Sequence, residues 1–120
     1  MARLRRRESD EHEIVALWLD VHGIVWFHPP NGGSRHVAEA VKMKRMGVKA
    51  GVPDFVIIDR PPAFPEAIGT VIELKADKLS RVRPEQKVWL SKFGERSWRT
   101  AIAHGAVEAI AMLKELGYAR

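Results

Sequence analysis

Hydrophobic and polar residues are arranged along this chain in patterns that predict four helices and four strands. Residues Glu8–Val21 carry apolar side chains at the spacing of an amphipathic helix, and acidic residues lie in the first turn, where the helix dipole favours them. Residues 55–58 form a continuous apolar run, which is typical of a strand covered on both faces. Residues Thr70–Lys75 predict the next strand, and we expect the two strands to pair as a hairpin.

The other elements follow from residues that begin or end helices and strands. Further strands are predicted at residues 24–27 and 98–103. Further helices are predicted at residues 34–46, with Ser34 as the N-cap, 84–93 and 106–116. The resulting order is helix, short strand, helix, two strands, helix, strand, helix. It predicts an α/β fold, a mixed β-sheet flanked by helices, whose later strand–helix–strand unit resembles a right-handed βαβ crossover.

The composition narrows the class of protein. A chain of 120 residues is expected to form one domain, residues 1–120, in which residues 1–7 are a basic, disordered arm. No run approaches the roughly 20 apolar residues of a membrane span, and the N-terminus has no apolar signal core. The absence of cysteine excludes a disulfide framework and a cysteine zinc site. A cytoplasmic protein is the default expectation.

The charge of the chain favours a polyanionic partner. The net charge is +5 and the sequence pI is about 9.9, so binding to DNA would be assisted by counterion release. The basic residues that bear most on function precede Asp54 in the sequence. They are Arg35, Lys42, Lys44, Arg45 and Lys49.

Candidate chemistry is concentrated in the two central strands. Asp54 stands at the start of one strand, and Glu73 and Lys75 lie near the end of the other, where the period of two projects them to one side. Two converging carboxylates form a site for Mg²⁺ or Mn²⁺, and a neighbouring lysine can steady a water molecule or a phosphate oxygen. In a simpler interpretation, Asp54 is a turn residue and Glu73 with Lys75 is an ion pair worth at most about 1 kcal/mol.

Four motifs occur in a fixed order along the chain. They are HPPNGG (28–33), KRMGVKAGVPD (44–54), IELKA (72–76) and PEQKVWL (84–90). A single PD or ExK pair is common by chance, but the ordered set is specific. It resembles the VRR-NUC (virus-type replication-repair nuclease) branch of the PD-(D/E)xK nucleases, over nearly the whole chain. The resemblance implies a restriction-endonuclease-like core.

The resemblance also implies roles for individual residues. Asp54, Glu73 and the backbone carbonyl of Leu74 match the ligands of the divalent ion, Mg²⁺ or Mn²⁺. Lys75 matches the catalytic lysine. Gln86 matches a helix glutamine found near the metal in many members, although a solvent-facing position is an equally good interpretation.

An acid on the first helix belongs to the family's site, and four residues of this chain compete for that place. They are Glu8, Asp10, Glu11 and Glu13. We favour Glu11 as the catalytic acid, because it shares a helix face with Val15 and Trp18. Family members often carry a glutamine about one turn further on, where this chain offers His12 or Ile14.

Two further groups of residues bear on DNA or metal binding. In the segment of residues 28–35, Asn31, the Gly32 amide and Arg35 are expected to reach DNA phosphates, although a plain turn is the simpler alternative. Three histidines outside the first helix do not have metal-ligand spacing. They are His28, His36 and His104.

The resemblance implies a metal-dependent DNA endonuclease of replication or repair. We expect a phage-type homodimer that acts on branched DNA, a junction or a flap, in the cytoplasm of a bacterial or phage-infected cell. A catalytically silent DNA-binding module with a nuclease fold is the alternative, and the intact Asp54, Glu73 and Lys75 argue against it. A sequence-specific restriction-type enzyme is not expected, because no segment remains for a reading domain.

Overall fold

Four helices and four strands make up the computed structural model, which describes residues 7–30 and 36–119. The predicted arm at residues 1–7 therefore lies outside the described residues except for Arg7, as does the predicted N-cap Ser34. Among the described residues, no helix is long and apolar enough to cross a membrane. The elements are α1 (Glu8–Val21), β1 (Trp26–Phe27), α2 (Val37–Arg45), β2 (Phe55–Ile57), β3 (Thr70–Lys75), α3 (Pro84–Gly94), β4 (Arg99–His104) and α4 (Ala106–Glu115).

The strands form one mixed sheet in the order β1-β2-β3-β4. β1 pairs with β2 and β2 with β3 in antiparallel fashion, so the predicted hairpin is present. β3 and β4 are parallel, and α3 connects them, as the strand–helix–strand order predicted. The α/β fold with a mixed sheet and flanking helices is confirmed.

The sheet separates two apolar layers. On one face, α1 and α4 cover Phe55, Ile72 and Leu74, which are fully buried. On the other face, Leu90 of α3 packs against Val71. Because side chains of a strand alternate between faces, Glu73 and Lys75 share the α3 face with Val71.

The register of the hairpin places Asp54 on the same face. Phe55 is paired with Ile72, and the next position of the antiparallel ladder sets Asp54 beside Glu73. Val56, two residues after Asp54, packs in the α3 layer. The two acids therefore lie on one side of the sheet, where β2 starts and β3 approaches its end.

The loop between α2 and β2 packs against the start of α3. Gly51 has a φ of +86°, and a Cβ atom added there would lie 2.7 Å from the backbone carbon of Glu85. Glycine is required because the backbone is left-handed and meets another backbone. This contact brings the loop that precedes Asp54 against the first turn of α3.

Candidate active site

Asp54 and Glu73 form a pair of buried carboxyl groups. Asp54 is 7% exposed and Glu73 is 2% exposed. The backbone N–H of Leu74 donates a hydrogen bond of 2.7 Å to Asp54 Oδ2, which fixes the aspartate beside β3. Burial, the charge of Asp54 and a hydrogen bond with the Asp54 side chain raise the pKa of Glu73 to about 8. Without a cation, the raised pKa favours a proton on the Asp54–Glu73 pair at neutral pH.

Lys75 and Gln86 close one side of this pair. Lys75 Nζ donates to Gln86 Oε1 at 2.9 Å and lies 3.6 Å from Glu73 Oε2. Gln86 Nε2 donates to the same Glu73 oxygen at 3.1 Å. The amide oxygen of Gln86 also accepts from the backbone N–H of Arg83 at 2.8 Å, which caps the first turn of α3. The Gln86 side chain therefore contacts the candidate site residues Lys75 and Glu73 and is not simply a solvent-facing helix residue.

Of the acids on the first helix, Glu8 interacts electrostatically with Asp54 and Lys75. The sequence instead favoured Glu11 as the catalytic acid. The pKa of Glu8 is raised mainly by burial and next by the charge of Asp54, while the charges of Lys75 and Arg83 lower this pKa. Glu11 is buried, and its Oε1 accepts a 3.3 Å hydrogen bond from the backbone N–H of Ala106 at the start of α4. The structure therefore ties Glu11 to the packing of α1 against α4 and places Glu8 in the electrostatic surroundings of Asp54 and Glu73.

Two histidines lie on the other side of Asp54. One nitrogen of His12, one nitrogen of His28 and a carboxylate oxygen of Asp54 all lie within 4.8 Å of one another. His12 stacks on Phe55 with ring centroids 4.3 Å apart, and the two imidazoles meet edge to face at 4.5 Å. Burial, and next the neighbouring His28, lower the pKa of His12. A cavity of about 380 Å³ opens here, lined by Glu8, Ser9, His12, Glu13, His28 and Asp54.

Sequence spacing did not find this histidine group. His12 lies in α1, His28 follows β1 and Asp54 precedes β2, so the three residues meet only when the sheet forms. The available signal was His12, which with Ile14 is one of two residues that could stand where family members often carry a glutamine. That substitution was noted in the sequence without a role.

The direction of the Leu74 carbonyl follows from that of its N–H. In an antiparallel ladder, the N–H and C=O of one residue are directed to the same neighbour. Because the Leu74 N–H reaches Asp54, its carbonyl is directed to that side as well. β2 begins only at Phe55, so the carbonyl lies where the β2–β3 pairing has ended.

The predicted DNA-binding residues are described only in part. Asn31, Gly32 and Arg35 lie outside the described residues. The others are exposed, three of them in the last turn of α2 and one in the loop that follows. They are Lys42, Lys44, Arg45 and Lys49.

Comparison with known proteins identifies the family. The VRR-NUC domain profile matches residues 6–107. A solved VRR_NUC domain protein is 27% identical, with a TM-score of 0.74 over 97% of this chain and 90% of that chain. A second solved VRR_NUC domain has a TM-score of 0.61 at 13% identity, over 89% of this chain and 94% of that one, and shows the shared fold alone. A search of curated proteins found no match. The chain belongs to the VRR-NUC family.

Proposed function

We propose that the protein is a divalent-metal-dependent DNA endonuclease that hydrolyses phosphodiester bonds. The observation that carries the proposal is the buried pair of Asp54 and Glu73, in which the pKa of Glu73 is raised to about 8. Two buried carboxyl groups in contact are unfavourable as two negative charges unless a cation lies between them. The residues of the pair therefore fit a divalent ion.

Asp54, Glu73 and the Leu74 carbonyl would hold that ion. Their oxygen atoms are the ligands that Mg²⁺ and Mn²⁺ prefer in proteins. When bound, the ion would supply Lewis acidity to a phosphoryl oxygen and make a bound water more acidic. Leu74 contributes a second time, because its N–H holds the Asp54 carboxylate in place.

Lys75 and Gln86 position groups around the reacting phosphate. Lys75 Nζ is fixed by Gln86 and lies beside Glu73, so its positive charge is held where negative charge would develop on the phosphate. Its ammonium group can also orient a water molecule. Gln86 is a positioning residue, because its amide orients both Lys75 and Glu73.

We further propose that the substrate is branched DNA, a junction or a flap, and that the active form is a phage-type homodimer. Support comes from the net charge of +5, the exposed basic residues of α2 and the resemblance to small nuclease domains of this branch. Resolution of a junction needs two symmetrically placed cuts, and a two-fold dimer provides two sites. The alternative is a silent DNA-binding module, for which intact Asp54, Glu73 and Lys75 would have no use.

Cleavage assays test the proposal. The purified protein is incubated with Mg²⁺ or Mn²⁺ and with duplex, flap, single-stranded and four-way-junction DNA. We expect cleavage of junction or flap, reduced by about a hundredfold or more in Asp54→Asn, Glu73→Gln and Lys75→Ala. Glu66→Gln and Lys114→Ala, at exposed positions, are matched controls that should retain full activity.

Two results would count against the nuclease. Full activity in a correctly folded Glu73→Gln protein would exclude the proposed site. DNA binding without cleavage of any substrate, with either cation, would favour the silent module. Circular dichroism of each variant separates loss of chemistry from loss of fold.

A further inference from the structure

His12, His28 and Asp54 combine nitrogen and oxygen ligands at the edge of the candidate active site. The three donor atoms lie within 4.8 Å of one another, and they come from three separate parts of the chain. The metal ligands implied by the family resemblance are oxygen atoms of Asp54, Glu73 and Leu74. The two imidazoles therefore add a type of ligand that those oxygen atoms do not supply.

His28 is prepared to act as a ligand by its hydrogen bond. Its Nδ1 lies 2.7 Å from the backbone carbonyl oxygen of Asp54. A carbonyl oxygen only accepts hydrogen bonds, so Nδ1 carries the proton and the lone pair remains on Nε2. Metal-binding histidines usually donate their other ring N–H to a backbone carbonyl or a carboxylate, which fixes the tautomer and the ring.

His12 is held by packing. It is half-buried in α1, and its ring is stacked on Phe55, a fully buried residue of β2. Burial lowers the pKa of His12, which favours the neutral ring that binds metals. Ligand atoms around a tetrahedral ion stand about 3.4 Å apart, so donor atoms that lie within 4.8 Å of one another have to approach by at most about 1.4 Å to share an ion.

The surroundings leave space for further ligands. The cavity at this position has a volume of about 380 Å³ and reaches Glu8 and Ser9 on α1. Three protein ligands with an open position form the usual arrangement of catalytic metal sites, whereas structural sites are closed by four. Imidazole nitrogen favours ions such as Co²⁺, Ni²⁺ and Zn²⁺ over Mg²⁺ and Ca²⁺.

We propose that His12, His28 and Asp54 form a second cation site, which binds a transition-metal ion of the Co²⁺, Ni²⁺ or Zn²⁺ class beside the Asp54–Glu73 pair. Asp54 belongs to both sites, so a cation at one site changes the charge at the other. The inference depends on the proposed function only for a role in cleavage. Binding itself is measured without DNA.

Cobalt titration tests the site. Co²⁺ is added to the full, tag-free chain, and the visible absorption of the ion is followed to saturation. We expect a nitrogen-ligand spectrum at one equivalent, with the affinity lowered at least about tenfold in His12→Gln and in His28→Gln. Zn²⁺ should displace the cobalt, and millimolar Mg²⁺ should not.

Two control variants show whether cobalt binds at the two histidines or elsewhere. His22→Gln removes a histidine whose Nδ1 makes the same 2.7 Å bond to a backbone carbonyl, that of Trp18, at the other end of α1. It should bind cobalt like the parent. Glu73→Gln should retain the histidine spectrum, although cleavage would be lost if the proposed function is correct.

The outcomes separate the two proposals. Equal cobalt binding by the parent, His12→Gln and His28→Gln would overturn the second site, whatever the cleavage result. Loss of the spectrum in Glu73→Gln alone would place the ion at the carboxyl pair and would also overturn it. If His28→Gln fails to fold, the His12→Gln titration decides.

Discussion

Glu73 links the ionisation of the site to the stability of the fold. Its pKa is raised from 4.5 to about 8, first by burial and then by Asp54, while Lys75 opposes the rise. Between these two values, the folded chain holds a proton that the unfolded chain has released. Folding is therefore favoured at the lower pH. This contribution is complete below about pH 4.5 and is lost as the pH rises through about 8.

This linkage predicts a difference between the parent and Glu73→Gln in metal-free buffer. The parent should lose unfolding free energy relative to the variant as the pH rises from 5 to about 8, because glutamine has no proton to release. Urea unfolding at several pH values, with a chelator present, measures it. The same slope in both proteins would show that Glu73 is not the group responsible.

Individual residues differed in how well the sequence predicted them. Asp54, Glu73 and Lys75 come together for two reasons. Strand periodicity, which can be read from the sequence, puts Glu73 and Lys75 on one face, and the hairpin register, which only the structure shows, sets Asp54 beside Glu73. The meeting of His12 with His28 depends on how α1 crosses the end of the sheet. Local spacing contains no information on that contact.

At the scale of the elements, α1 presents two acids with different neighbours. Glu11 stands one turn before Val15, so the stripe that made it attractive also directs it into the core, where it meets Ala106 of α4. Glu8 lies one turn earlier and lines the cavity next to Asp54. A helical stripe identifies the buried face, but it does not show which neighbour covers each turn.

The two acids should therefore respond differently to substitution. Glu11→Ala should lower the unfolding free energy by about 1–3 kcal/mol, because a buried N–H of α4 loses its acceptor. Glu8→Gln should leave stability nearly unchanged and should reduce DNA cleavage about tenfold or more. Thermal unfolding and initial cleavage rates measure these effects, with Glu66→Gln as the control. The reverse result, a stable but inactive Glu11→Ala, would support Glu11 as the catalytic acid.

Most helices and strands were predictable, and their ends were less so. α1 and β3 have the predicted bounds. Apolar periodicity defines both elements, and Gly23, which has a positive φ, follows the end of α1. In α3, the apolar run of residues 88–90 does not lie on one face, because Leu90 is buried and Val88 is 51% exposed. Three consecutive helical residues span about 200°, so one helix face cannot bury them all.

At the scale of the whole molecule, charge and size bear on assembly. The chain carries a net charge of +5, and α2 exposes basic residues in its last turn without burying any of its own residues. A surface of this kind is suited to contact a phosphate backbone. The described part of the chain has one candidate active site, which makes one cut at a time, so two simultaneous cuts need two chains.

We expect a dimer at micromolar concentration that prefers a junction or a flap to plain duplex. Junction affinity should fall steeply with salt, and Lys42→Gln with Lys44→Gln should reduce the salt slope by about 2, whereas Lys114→Gln should not change it. Light scattering and fluorescence anisotropy measure both properties. A monomer that cuts linear duplex and junction equally would refute the assembly, while the metal site would remain.

The side-chain amide of Gln86 has a consequence for local unfolding. Its oxygen holds the Arg83 N–H and Lys75, and its nitrogen holds Glu73. If the first turn of α3 frays, all three bonds are lost in the same event, so the candidate chemistry and the helix end form one cooperative unit. The fraction of molecules ready to act would then equal the fraction with this turn closed, a quantity that amide hydrogen exchange at the start of α3 can report.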